Sequence, residues 1–518
     1  MQPSLAQLIR EVAQASPSRI CFVDSNGHAT RYLEFIQRAD DLVGRILELN
    51  VMTAGNNRIA IFAKDSIDIL IAYVAIIEAG GTVVAVNNEF RSHEIQYVDG
   101  TINPVLWLTD EHGTNLLVES LFDNDVRARI LEVSNLDFKS QFSEQRTHPG
   151  SKSEGNPIDI IAFTSGTTGL PKAVAMSRGA LREMIAGVVL SYRIPPFGRC
   201  LYTAKMAFVP TVLTQIFGHL CTGGTIYIPQ DRSLDRVFQQ IIDQNITYVY
   251  IPTPWLPGFF DLSENDSRIL CSGLTAVMHA GSSVSSEVLA RALAIFGSVF
   301  VEAWGMTETC GMPITAYVPD DLLVHQAQYL AETVGRNLPG MQVRVDGSIS
   351  GVKSEGELLI SGSSCFDGYW EDGKVTQRDT WFGTGDIGII DESGLVRLTG
   401  RLKELIISGG ANVSPLEVED CVLQCEGVID AAVFGIDDAY WGEAVCLVIV
   451  ASDPSDQTLI SRIDLHCRSR LARYKVPKKI LVVNDLPRTA SQKLKRVEIK
   501  EKFMLEVVSQ LSEHGGQV

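Results

Sequence analysis

Apolar residues recur at helical spacing at Ile67, Leu70, Ile71, Val74 and Ile77, and Gly80-Gly81 then supplies a stop. An apolar, β-branched run follows at 82–86. Helix then buried strand is the alternation of an α/β fold. Short runs of the same kind recur at 158–163, 225–228, 247–251, 274–278 and 298–303, each closed by Gly, Pro, Ser or Thr. The pattern predicts largely parallel sheets covered by helices. Ligands gather outside the carboxyl ends of strands in such sheets, so chemistry is expected in the loops after Phe163, Met278 and Ala303. A further strand is expected to begin at Leu201. Past Gly400-Arg401 the pattern changes to a short α+β one, with a helix over 415–424, strands over 431–434 and 445–450, and a helix over 460–472. The expected fold is therefore α/β, with a large N-terminal domain of layered sheets and helices and a small mobile α+β C-terminal domain.

Composition narrows the class without naming a function. A chain of 518 residues with 45% hydrophobic content exceeds the ~250–300 residues at which one core stops growing, so two or more domains are expected. A net charge of -18 argues against a general nucleic-acid binder. The ten cysteines include no C-x-x-C pair, and Cys421 and Cys425 are spaced as on one helix face. They read as reduced thiols of a cytoplasmic protein. The N-terminus lacks the basic and apolar regions of a secretory signal, and the apolar run at 69–77 is far below the ~20 residues that cross a bilayer. No membrane span is expected.

The strongest chemical signal is Ile160-Ile-Ala-Phe-Thr-Ser-Gly-Thr-Thr-Gly-Leu-Pro-Lys172, a buried strand entering a loop of hydroxyl residues, two glycines and a lysine. Gly166 and Gly169 permit conformations that aim successive N–H groups at an anion. Thr164, Ser165, Thr167 and Thr168 add hydroxyls, and Lys172 adds a positive charge. A polar Gly-rich turn between two strands is the bland alternative, and the spacing is not that of G-x-x-x-x-G-K-[ST]. The whole ordered string resembles the T-S-G-T-T-G-x-P-K-G of the adenylate-forming superfamily, which includes acyl-CoA synthetases, peptide-synthetase adenylation domains and luciferases. Ala173 stands at its last glycine.

Further strings follow in the superfamily's order: His279-Ala-Gly-Ser-Ser-Val-Ser285, Ala303-Trp-Gly-Met-Thr-Glu-Thr309, Val334-Gly-Arg-Asn-Leu-Pro-Gly340, Gly356-Glu-Leu358, Gly368-Tyr-Trp370, Trp381-Phe-Gly-Thr-Gly-Asp-Ile-Gly388 and Gly400-Arg-Leu-Lys-Glu-Leu-Ile-Ile407. The resemblance implies ATP as substrate and Mg²⁺ as cofactor. By it Thr307 contacts the α-phosphate, Glu308 holds the Mg²⁺, and Ala303, Trp304 and Gly305 flank the adenine. Asp386 takes the ribose hydroxyls, Arg401 is a second nucleotide contact, and Lys403 is the hinge between domains at 1–402 and 403–518. Leu486-Pro-Arg-Thr-Ala-Ser-Gln-Lys-Leu-Lys-Arg496 resembles P-x-T-x-x-G-K and makes Lys493 the mobile catalytic lysine, with Gln492 at its usual glycine.

The implied reaction activates a carboxylic acid to acyl-AMP with release of pyrophosphate, then transfers the acyl group to coenzyme A, with Gly409-Gly410 lining the pantetheine path. From 468 to 502 there are twelve Lys or Arg against three Asp or Glu. That local excess suits coenzyme A or an acidic phosphopantetheinyl carrier protein. A solvated basic face is the equally weighted alternative. Leu471-Ala-Arg-Tyr-Lys-Val-Pro477 is similar to acyl- and aryl-CoA ligases. The substrate pocket is expected near Met206, Phe208, Val209, Ala280 and Gly281. Val209 stands where amino-acid-activating relatives place an Asp, so an apolar carboxylate is expected, because a buried ammonium without a counter-charge is costly. Three readings stay open beside the CoA ligase: loading of a carrier protein, a luciferase-like oxidoreductase on the same fold, and a nucleotide-binding protein without catalysis. A homodimer is expected from the resemblance alone, and the chain ends without a peroxisomal Ser-Lys-Leu.

Overall fold

A computed structural model describes residues 3–121, 126–133, 157–164, 171–271, 273–280, 286–311, 313–317, 321, 325–347, 355–408, 410–438, 440–488 and 494–504. The predicted helix is Ile67–Glu78, and every residue from Ile69 to Ile77 is buried. It is apolar all round because helices Leu5–Ala15 and Tyr32–Leu49 pack on it from outside while the sheets lie beneath. The strand Thr82–Ala85 follows, buried along its length.

Two large sheets carry the predicted strands. One has the spatial order Arg336–Asn337, Pro313–Ala316, Phe300–Gly305, Ala276–Ala280, Tyr248–Tyr250, Arg199–Leu201, Thr225–Tyr227, Ile20–Val23, Ala29–Arg31. The other runs Lys374–Val375, Gly368–Glu371, Lys172–Ser177, Ile158–Thr164, Thr82–Ala85, Arg58–Phe62, Leu106–Thr109, Ile130–Glu132. Pairs in the interior of the first sheet and across the second half of the other are parallel, and antiparallel strands close the margins. The strand expected to begin at Leu201 instead ends there, because the extended segment is the short Arg199–Leu201 and the chain then leaves the sheet for the Met206 loop.

A third sheet, antiparallel, joins Met341–Asp346, Glu355–Gly362, Phe382–Ile390 and Val396–Arg401. The C-terminal unit has a sheet of its own, in which Val428–Asp438 pairs with Gly442–Ala451 and helices Pro415–Leu423 and Leu459–Arg470 pack nearby. Both strands run well past the expected ranges, since they form a long hairpin. Its core begins at Ile406, whereas the last large-unit residues packed into the first core are Val396 and Leu398. Among the described residues no helix is long and apolar enough to cross a membrane. Arg178 makes a two-pronged pair with buried Asp159 at 3.0 and 2.9 Å.

Beyond the Met206 loop the chain is helical from Val209 to Leu220 and passes through a π-helical turn at Val212–Phe217. His219 is fully buried there, with Nδ1 2.7 Å from Gln215 O. Burial holds its imidazole down to about 4, against an ordinary 6.5, although the Gln215 contact works the other way. The folded protein thus keeps this ring neutral where the unfolded chain would protonate it. Stability is expected to fall as pH drops from 6.5 towards 4, by about 3 kcal/mol over the window. Urea unfolding across that range should show the slope in the wild type and a shallower one in His219→Gln.

Candidate functional site

The carboxyl ends of adjacent parallel strands bring Ala280 opposite Ala303. Tyr250 donates its hydroxyl to Ala280 O at 3.1 Å. One residue past Ala303, the buried indole of Trp304 donates to Asp386 Oδ2 at 2.9 Å. Asp386 lies directly across the third sheet from Arg401, whose Nε is 2.8 Å from Oδ1. Both oxygens of one buried carboxylate are therefore engaged, as a buried charge requires. The loop is shaped to present it: Gly385 has φ +74 and donates its N–H to Glu357 Oε1 at 3.0 Å, while Thr384 Oγ1 accepts from Asp386 N at 3.0 Å.

A second group forms around the phosphate-loop strand. Thr164 and Lys172 face each other across the hairpin that the loop closes. The Lys172 ammonium stands 4.6 Å above the ring centre of Tyr369. The Tyr369 hydroxyl donates to Glu308 Oε1 at 2.9 Å, and Phe366 N–H holds Glu308 O at 2.7 Å. Thr307, Glu308 and Thr309 form a short 3-10 turn straight after the Trp304 strand. Gly311, at φ +80, closes that turn against the Met206 loop, where an added Cβ would sit 2.9 Å from Pro210 Cα.

The pocket residues predicted from sequence fall on this loop. Met206 and Val209 are buried and Phe208 half-buried, and Met206 N–H donates to Asp65 Oδ1 at 3.1 Å. Met206 and Val209 share an apolar crevice with Ile61, Ala63, Ile69, Tyr73 and Val86. Behind Ala280, His279 Nδ1 lies 2.6 Å from Glu302 Oε2 on the neighbouring strand, and Nε2 lies 2.9 Å from Thr253 Oγ1. Burial raises the Glu302 carboxyl, and His279 partly offsets the shift.

Thr164, Lys172, Thr307, Glu308, Trp304, Asp386 and Arg401 thus fall into two linked groups around one edge of the large sheets. Gly410 lies apart, at φ +78 in the exposed turn between Ile406–Ser408 and Ala411–Val413, and Lys403 lies in the turn Leu402–Glu404. Ser165, Gly166, Thr167, Thr168, Gly169, Gly281, Gly409 and Lys493 lie outside the described residues. Tyr369 and Glu357 were missed as site residues, although the strings Gly368-Tyr-Trp370 and Gly356-Glu-Leu358 had singled out their positions.

Among solved structures the chain is similar to an o-succinylbenzoate CoA synthetase from Bacillus subtilis in complex with its acyl-adenylate intermediate, with TM-score 0.80 and 22% identity over 96% of this chain and 98% of that one. The two-unit α/β architecture is that of the adenylate-forming enzymes. The AMP-binding enzyme model matches residues 9–370, and the AMP-binding enzyme C-terminal domain model matches residues 417–493. The chain belongs to the AMP-binding enzyme family. It is 28% identical, over 97% of its length and 98% of the relative's, to a 2-succinylbenzoate–CoA ligase of Geobacillus sp. (strain WCH70). It is 32% identical to an indoleacetate–CoA ligase of Aromatoleum aromaticum over 66% of each chain.

His279→Ala would leave the Glu302 carboxyl buried without its imidazole. Such a change is expected to cost about 3–5 kcal/mol, read as a lowered urea midpoint, with partial recovery on adding Glu302→Gln.

Proposed function

We propose that the chain is an AMP-forming acid–thiol ligase, which joins a carboxylic acid to the α-phosphate of ATP, releases pyrophosphate and passes the acyl group to coenzyme A. The observation that carries this reading is the coupling of Lys172 to Glu308 through Tyr369, which sets a cation and a hard-oxygen donor side by side at the base of the phosphate loop. The two CoA ligases similar to the chain support coenzyme A as acceptor, with an acidic carrier protein as the alternative.

The reaction brings a carboxylate anion onto a polyanion, so its barrier is chiefly electrostatic and needs no side-chain base. In this reading Lys172 and the N–H groups of Ser165, Gly166, Thr167, Thr168 and Gly169 hold the β- and γ-phosphates, and Thr307 orients the α-phosphate. Asp386 and Arg401 take the ribose, beside an adenine lying against Ala303, Trp304 and Gly305. Lys493 stands between carboxylate and α-phosphate. Glu308 and the Thr307 hydroxyl are hard oxygen donors, and among the described residues no group of three or more His, Cys, Asp or Glu forms a metal cage. That donor set fits Mg²⁺, which is commonly held by one or two carboxylates together with substrate phosphates. When bound, Mg²⁺ supplies neutralisation of phosphate charge.

The acid is read as apolar, aliphatic or aromatic, since Met206, Phe208, Val209, Ala280 and Gly281 offer its pocket no counter-charge. The domain boundary is placed at 402/403 with Lys403 as hinge, and Gly409-Gly410 line the thiol path. A cytoplasmic homodimer belongs to the same reading.

Pyrophosphate release with aliphatic, aromatic and amino acids, each with and without coenzyme A, tests this reading. One acid should give turnover that coenzyme A raises sharply. A single stoichiometric burst in both conditions would point to a carrier protein instead, and no release with any acid would sink the reading. Lys493→Ala should remain folded by circular dichroism and lose roughly 10²–10³ in adenylation rate. Undiminished release would remove Lys493 from the mechanism.

A further inference from the structure

The phenol of Tyr369 touches both Lys172 and Glu308, and the fold holds it tightly. Its strand Gly368–Glu371 pairs with Lys172–Ser177, which places Tyr369 beside Val174. The preceding residue must be glycine, because an added Cβ would lie 1.6 Å from Thr376 O. Thr376 N–H donates to Tyr369 O at 2.8 Å, and the rings of Phe366 and Phe382 stand edge-on to Tyr369 at 5.0 and 6.5 Å. The ring cannot swing without breaking these contacts.

Each end of the phenol answers a different need. Glu308 is only 8% exposed, so its carboxylate needs a hydrogen-bond donor. The hydroxyl meets that need at Oε1, and Oε2 has no hydrogen-bond partner among the described residues. On the ring face, the electron-rich π-system attracts the Lys172 ammonium.

We propose that Tyr369 is a positioning residue for the nucleotide: its hydroxyl orients Glu308 to offer Oε2 to a divalent cation, and its ring face holds Lys172 ready for phosphate. This deepens the functional reading above and rests on the roles given there to Lys172 and Glu308. The two halves of the side chain act on different ligands. Hydroxyl loss should therefore weaken the cation, and ring loss should weaken the nucleotide as well.

The test compares wild type with Tyr369→Phe and Tyr369→Leu. Free Mn²⁺ is followed by electron paramagnetic resonance in the presence of ATP without acid, and ATP binding without metal is followed by equilibrium dialysis. Tyr369→Phe is expected to weaken Mn²⁺ about tenfold, the size of a lost hydrogen bond to a charged group, and to leave metal-free ATP binding unchanged. Tyr369→Leu is expected to weaken metal-free ATP binding by roughly fivefold in addition. Thermal unfolding of each variant separates these effects from loss of structure, and the Phe variant, which keeps the ring, carries the test if the Leu variant does not fold. Wild-type Mn²⁺ affinity in Tyr369→Phe would overturn the proposal, as would equal weakening of both ligands by both variants. A wild-type chain that binds neither ATP nor Mn²⁺ would overturn the functional reading itself.

Discussion

Separate sheets meet at a single buried carboxylate. Asp386 comes from the antiparallel sheet, takes the indole N–H of Trp304 from the large mixed sheet, and is paired to Arg401 on the strand beside its own. A carboxylate this buried is tolerated only when its lone pairs are used, so the contact fixes the register between the two sheets at that point. The Glu357 contact to Gly385 N–H and the left-handed turn that permits it are local consequences of presenting Asp386 at that depth. The other group depends on the same edge, because Glu308 follows Trp304 by four residues and is clamped by Phe366 and by Tyr369, the latter on the strand beside the phosphate hairpin.

The fold was legible wherever the chain repeats one local rule. The helix Ile67–Glu78 and the strands Thr82–Ala85, Ile158–Thr164 and Thr225–Tyr227 follow from apolar runs closed by glycine or polar residues. Boundaries slipped where the ladder, not the local composition, decides. Phe300–Gly305 starts two residues later than its apolar run because Gly297–Val299 turns first, and Val428–Asp438 extends because Gly442–Ala451 pairs with it throughout. The antiparallel sheet around Asp386 escaped description altogether, although Met341–Asp346 and Glu355–Gly362 alternate in burial, because its order is set by long-range pairing.

The candidate site was legible as strings and illegible as contacts. Lys172, Glu308, Asp386 and Arg401 could be named because each sits in an ordered motif. Nothing local reveals that Lys172 and Glu308 meet through Tyr369, which lies 197 residues from one and 61 from the other in sequence. The same holds for Gly311, whose need for glycine comes from Pro210 a hundred residues earlier. Glycines and aromatics inside a motif are the positions to examine for such contacts, because their chemistry is spent on neighbours that the motif does not contain.

The junction between the units can be narrowed by asking which side holds each residue. Arg401 is tied to Asp386 and so to the large unit. Glu404 is paired to Arg496 at 2.9 Å, and Arg496 also takes both oxygens of buried Glu419 and donates to Val433 O, deep in the small unit. Despite burial, those two carboxylates push the Arg496 guanidinium further up, so the charge stays on and the tie holds. A rotation of the small unit that kept both ties would have to be absorbed by backbone at Leu402 and Lys403. The hinge proposed at Lys403 falls between these two ties.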